Sequence, residues 1–162
     1  MTKSDIHDEI ISILLELCKD YKVYKKCYRG SQQHRLAFAI PGRGKPIAIQ
    51  YEPDVIAEWR QGGKDVFEVW HSESEGDAFL DILYPALHRA QSKEIKYLCI
   101  ICTGYNLGKD KAEELKNLVL NLRDKSGNEL FDPDHILITE IPKDIQQDRQ
   151  KMKEYLKAEL EF

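Results

Sequence analysis

The stretch Pro53–Glu73, PDVIAEWRQGGKDVFEVWHSE, decides the fold. Two runs rich in Val, Ile, Phe and Trp flank Arg60-Gln61-Gly62-Gly63-Lys64, and paired glycines between such runs mark a turn. The expectation is an antiparallel hairpin with Asp54 on its first strand and Glu68 on its second. Strand side chains alternate, so Glu68, Trp70 and Ser72 share one face, and Phe67, Val69 and His71 the other. Asp54, Ile56 and Glu58 share a face on the preceding strand. A two-residue loop made of Gly62-Gly63 alone would set Asp54 opposite His71 and turn the two carboxylates apart. A three-residue loop or a one-residue bulge brings Asp54 onto the Glu68 face, with Gly62 or Gly63 taking a positive φ. The register of one hairpin therefore decides whether the two acids can act together.

Upstream, Ser4 can cap a helix over residues 5–19, with Ile6, Ile10, Ile13, Leu14 and Leu17 on one stripe and Glu9 and Glu16 at its edge. HRLAFAI (34–40) reads as a strand and PGRGKP (41–46) as a turn. IAIQYE and PDVIAEW follow as one bent strand or two short ones, because Pro53 lacks an N–H and marks an edge, a bulge or a bend. Downstream, EGDAFLDILYPALHRA (75–90) predicts a second helix with Phe79, Ile82, Leu83, Ala86 and Leu87 inward and Pro85 as a kink or irregular turn. EIKYLCIIC (94–102) has the largely apolar character of a central parallel strand. GKDKAEELKNLVLNLRDK (108–125) predicts a third helix with Leu115, Leu118, Val119 and Leu122 inward. HILITEI (135–141) is a last strand, and KDIQQDRQKMKEYLKAEL (143–160) a polar C-terminal helix. A meander followed by alternating units implies a mixed α/β fold, a central mixed sheet flanked by helices, in one domain over residues 1–162.

The chain has 162 residues, 42% hydrophobic and 32% charged, enough for one domain with a sizeable core. No apolar run approaches the roughly 20 residues a membrane helix needs, so no membrane partner is expected. The opening MTKSDIHDEI has no signal-peptide layout, and the expected address is cytoplasmic. The net charge of −4 does not advertise nucleic acid, but its distribution is uneven. Lys22, Lys25, Lys26, Arg29, Arg35, Arg43 and Lys45 occur without an intervening acid, whereas Glu52 to Asp81 is strongly acidic. Charge runs are usually solvated faces; the alternative here is a metal site beside a phosphate track, with Lys45, Arg43 and Arg35 as nucleic-acid contacts.

Helix, antiparallel meander and αβ unit, with "PD" entering the hairpin and "EVW" leaving it, together resemble the PD-(D/E)xK nuclease superfamily, whose fold is restriction-endonuclease-like. The resemblance covers a core of about residues 4–103, followed by an αβα extension. It implies that Asp54 and Glu68 are catalytic and hold a divalent cation, Mg²⁺ or Mn²⁺. It also implies that Val69 offers its backbone carbonyl and that Glu9, with Glu16 second, is the first-helix acid some members add. Trp70 stands where the motif has Lys. A lysine there offsets charge on the phosphate and orients water. An indole is a neutral donor that does neither. His71, Lys64, Lys45 and Arg35 are candidate substitutes, none at a compelling spacing. Two functions stay open: a metal-dependent nuclease acting on phosphodiester bonds, or the same fold as a non-catalytic module binding nucleic acid or a protein. A homodimer is compatible with either.

Other patterns have simpler explanations. Cys99 and Cys102 form a CxxC inside an apolar strand, where they point to opposite faces as reduced core cysteines. TGYNLGKDK (103–111) has the context of a P-loop, but Gly104 to Gly108 is one residue short and Asp110 replaces the Mg²⁺-binding hydroxyl. FDPDH (131–135) is a polar turn before it is a metal site. His7, His34 and His88 form no arrangement in the sequence. Trp59, Trp70, Tyr51 and Tyr84 are expected to pack around the hairpin, Trp70 filling the place an open site would leave.

Overall fold

The computed structural model describes residues 3–19, 22–25, 36–40 and 44–160. Its elements are α1 (Lys3–Leu17), β1 (Lys22–Lys25), β2 (Leu36–Ile40), β3 (Ile47–Tyr51), β4 (Val55–Glu58), β5 (Lys64–Trp70), α2 (Glu75–Ser92), β6 (Ile95–Cys102), α3 (Lys109–Leu120), β7 (Ile136–Glu140) and α4 (Arg149–Glu159). Five strands form one sheet in the order β1-β4-β5-β6-β7. β1, β4 and β5 run antiparallel, and β6 and β7 lie parallel to β5, so the sheet is mixed. The segment after residue 103 thus extends the same sheet through β7.

Pro53 resolves the ambiguity of the IAIQYE–PDVIAEW segment. The chain breaks there, and the two halves join different sheets: β3 pairs with β2 in a separate hairpin, and β4 enters the main sheet. β1, in a stretch expected only to be basic, was not foreseen as a strand. It pairs with β4 along its whole length.

Helices cover both faces. Ile56, Val66, Trp70, Leu98, Ile100 and Cys102 meet α2 and α3 on one side. Val55, Ala57, Phe67, Val69, Cys99 and Ile101 meet α1 and α4 on the other. The β5–α2–β6 and β6–α3–β7 crossovers step in one direction across the sheet, and crossovers of one hand then place both helices on one face. Cys99 and Cys102 fall on opposite faces, both buried with free thiols. Burial pushes the Cys102 thiol up to about 12, far from the thiolate that redox chemistry or zinc would use.

Two local expectations change. Ser4 lies inside α1, which begins at Lys3, instead of capping it. Leu118 and Leu122 are exposed, because the buried stripe of α3 runs through Ala112, Leu115 and Val119 and the helix ends at Leu120. Pro85 sits within α2 as a buried residue; Ser74 caps that helix by accepting from the Asp77 N–H. Asp132 likewise accepts from the Asp134 N–H, so FDPDH is a capped turn.

The β7 edge is blunted. Lys116 Nζ donates to the Ile136 carbonyl at 3.0 Å and Tyr155 Oη to the Glu140 carbonyl at 2.8 Å. Side chains thus occupy two acceptors that another strand would need. Among the described residues, no helix is long and apolar enough to cross a membrane.

Candidate active site at the hairpin

The hairpin loop has odd length. The Trp59 N–H donates to the Gly63 carbonyl, leaving Arg60-Gln61-Gly62 as the turn, and Gly62 and Gly63 have φ of 92° and 96°. Val55 consequently pairs with Phe67 and Ile56 with Val66. One residue further along, Asp54 comes beside Glu68. Both are buried, at 6% and 5% exposure. The Asp54 N–H points to Glu68 Oε2 at 3.4 Å, and the Val69 N–H donates to Asp54 Oδ2 at 2.9 Å. The N–H and C=O of a strand residue face the same edge, and the Trp70 carbonyl turns toward β6 to accept from Thr103. Val69 therefore turns its carbonyl, like its N–H, toward Asp54.

Two residues missed in the sequence complete the surroundings. His7 of α1 brings Nε2 to 3.5 Å from Asp54 Oδ2. Asp81 of α2 accepts from Trp70 Nε1 at 2.9 Å. Both flank buried stripes, His7 between Ile6 and Ile10, and Asp81 beside Ala78 and Ile82. That position is the signal available in the sequence, but it does not single them out from Glu9 or Asp77. Trp70 itself is 1% exposed and packs in the core on the α2 side.

The electrostatics follow from burial. Desolvation first, then the charges of Asp81 and Asp54, pushes the Glu68 carboxyl well above the ordinary carboxylate range. Desolvation and the charge of Glu73 push Asp81 up to about 8, against the pull of the Trp70 hydrogen bond. The hydrogen bond to Asp54 raises His7 above the ordinary imidazole value, although burial opposes it. Asp54, Glu68 and Asp81 thus lie close enough to act on one another's charge, in a part of the fold rich in acceptors.

The remaining predicted residues lie elsewhere. Glu9 ion-pairs with Arg149 of α4, and Glu16 with both Arg149 and Lys153. Glu9 is two residues from His7, about 200° around the helix, so the two address different neighbours. Lys64 pairs with Glu94, which also binds His88 Nε2 at 3.0 Å. Lys45 is exposed ahead of β3. Arg35 and Arg43 lie outside the described residues. His71 is buried, with Nδ1 at 2.6 Å from Thr103 Oγ1 and its ring against Tyr105.

The P-loop-like segment also has an occupant. Glu140 Oε1 accepts the Lys109 N–H at 2.8 Å, at the first turn of α3. Gly104, with φ of 74°, and Gly108 wrap this carboxylate; a Cβ on Gly108 would stand 2.6 Å from Glu140 Oε1. The chain's own acid takes the place a phosphate would need.

A scan against protein-family models, a search of curated proteins and a search of solved structures each returned no match. The chemistry of the site therefore rests on its own residues. Among the described residues, no group of three or more His, Cys, Asp or Glu side chains is arranged to hold a metal ion. Two buried carboxylates and a strand carbonyl are instead a hard oxygen set. Mg²⁺ keeps several waters and often uses only one or two carboxylates, so the pair suits it better than a metal that needs a full protein cage.

Proposed function

We propose that the protein is a metal-dependent, nuclease-like protein of the PD-(D/E)xK type, on a restriction-endonuclease-like core, acting on phosphodiester bonds of nucleic acid. The observation that carries this reading is the odd-length hairpin loop, which turns Asp54 and Glu68 to one place beside Val69. Asp54, Glu68 and the Val69 carbonyl would hold Mg²⁺ or Mn²⁺. Such an ion supplies Lewis-acid stabilisation of the phosphoryl charge and a more acidic water. The chain's own contribution is to fix the carboxylates and exclude bulk water. The Val69 N–H holds one Asp54 oxygen, and His7 sets a second donor on that oxygen.

Trp70 favours a second reading, a non-catalytic module that binds nucleic acid or a protein on the same fold. Its indole fills the core and donates to Asp81, so the motif position supplies no mobile cation. Cleavage assays separate the two. Single-stranded, nicked and supercoiled DNA and RNA are incubated with Mg²⁺ or Mn²⁺, beside Asp54→Ala and Glu68→Ala. The nuclease reading expects cleavage that both substitutions abolish. Cleavage that survives both, or none by the native protein, rejects it.

A further inference from the structure

The β2–β3 hairpin stands outside the main sheet, and its strands pair with each other alone among the described strands. Side chains therefore hold it to the rest of the fold. Leu36, Phe38 and Tyr51 are buried in one cluster with Ile82 and Ala86 of α2, and Gln91 of α2 donates to the Ala39 carbonyl. His88 of α2 sits at this junction, 4% exposed, with its ring centroid 5.9 Å from that of Phe38 and 6.3 Å from that of Tyr51. The imidazole is thus wedged between helix and hairpin. Its Nε2 lies 3.0 Å from Glu94 Oε2, and Lys64 holds the other Glu94 oxygen. Its Nδ1 is buried and makes no hydrogen bond among the described residues, and nor does Tyr51 Oη.

This junction suits one protonation state. With Glu94 ionised, the neutral ring donates its Nε2–H to the carboxylate and leaves Nδ1 unprotonated. A second proton would bury an N–H that no acceptor meets, together with a charge among aromatic rings, and both are costly. The groups around His88 keep their own charge where a histidine titrates. Glu94 stays ionised: burial opposes this, but Lys64 and then His88 bring its carboxyl below the ordinary value. Tyr51 stays neutral, because burial pushes its phenol far up. Tyr84 lies one turn back on α2 with its ring 5.7 Å from Tyr51, and Arg89 turns away over the Phe131 ring. Burial accordingly holds the His88 imidazole below its ordinary value, against the pull of Glu94 and with Lys64 adding to the effect. We propose that the β2–β3 hairpin is an acid-released arm, docked on α2 while His88 is neutral and freed from it when His88 takes a proton. Once undocked, His88 meets water and accepts its proton freely, so docking weakens as the pH falls through about 6.5. In the same range His7, Asp65, Glu68 and Asp81 have the opposite sign: all are raised, so the folded state retains their protons and mild acid favours it. Mild acid should therefore loosen the hairpin while it tightens the sheet. Only Glu52 and Pro53 separate β3 from Asp54, so release of the arm reaches the candidate site along the chain. The release itself does not depend on what that site does.

Hydrogen exchange of the full chain, read by mass spectrometry, tests this. Peptides spanning 36–51 (the hairpin) and 95–102 (β6) are followed at about pH 7.5 and about pH 5.5, each rate divided by the intrinsic rate of the free peptide at that pH. The hairpin is expected to open about twofold or more often at the lower pH, while β6 keeps or gains protection. His88→Phe keeps an aromatic ring in the junction but cannot take a proton, and should abolish the rise. His88→Gln, which retains a donor for Glu94 and no titrating group, is the second variant should the first fail to fold, and should abolish it too. A native hairpin equally protected at both pH values overturns the proposal. So does a rise that survives in a folded variant, or a rise shared by β6, which is global unfolding. A hairpin open at both pH values in both variants overturns it as well, because His88 then serves packing alone.

Discussion

Glu140 and Glu68 are both acids near the carboxyl ends of parallel strands, and their surroundings are opposite. Glu140 receives the Lys109 N–H at the first turn of α3, and two glycines make room for it. Glu68 receives a long contact from the Asp54 N–H and faces the charges of Asp81 and Asp54. One carboxylate is matched by a backbone donor and a helix dipole; the other is crowded by its own kind. A matched acid stabilises the fold. An acid held against repulsion costs stability, and such a cost is typical where a ligand or reaction uses it. The comparison teaches which of two similar-looking motifs to believe. The glycine-rich segment is an internal cap, and the hairpin acids form the candidate site.

The two acids should therefore respond oppositely to neutralisation. Glu68→Gln and Asp54→Asn are expected to cut metal-dependent cleavage by about a hundredfold or more, the usual scale for losing one electrostatic element of an active site. The same Glu68→Gln change should raise the melting temperature of the metal-free protein, since it removes a poorly solvated charge. Glu140→Ala should do the reverse, costing about 1 kcal/mol as a lost helix cap and leaving cleavage near native. If Glu68→Gln destabilises and Glu140→Ala abolishes cleavage, the assignment of the two acids is inverted.

Trp70 sharpens the comparison at its weakest point. Trp70→Phe keeps most of the buried ring but removes the N–H that holds Asp81. Denaturant unfolding should show a loss of roughly 1–3 kcal/mol for a buried acceptor left unpaired. Adding Asp81→Ala to that variant should recover part of the loss, because the acceptor left without its donor is then removed. No recovery would mean that Trp70 serves packing alone.

Much of this architecture is legible in the sequence, and the failures have physical causes. Alternating apolar residues and the paired glycines announce the hairpin, and its acids can be named in advance, because period-two patterning fixes which side chains share a face. Loop length cannot be read from two adjacent glycines, so the register has to come from coordinates. β1 was missed because KVYK is too short and too basic to read as a strand without its partner β4. Glu9 and Glu16 follow from the resemblance as first-helix acids, whereas it is His7 that faces Asp54, and which of them does so depends on how α1 rotates against the sheet. Arg149 engages Glu9 from 140 positions away, a pairing that no local pattern reveals. Asp81 likewise becomes part of the site only when α2 packs back onto β5.

The smallest expected effect is also the most diagnostic of the crowded acids. Glu68 is held above its ordinary range, and Asp81 is held at about 8. The folded state therefore keeps protons that the unfolded chain has already released, and metal-free stability should fall as pH rises from about 4 toward 8. His7 adds to the same trend: its raised value contributes stability below about 6.5 that disappears as the pH passes its folded pKa. A divalent cation reverses the sign, because it takes the place of those protons and binds the ionised pair more strongly at higher pH. Melting temperature measured across this range should slope downward without metal and flatten or rise with Mn²⁺, by a few degrees in each case. Glu68→Gln should reduce both slopes, leaving the part of the metal-free slope that comes from Asp81 and His7, whereas Glu140→Ala should leave them intact. Identical slopes for the native protein with and without Mn²⁺ would show that the carboxylate pair does not bind the ion.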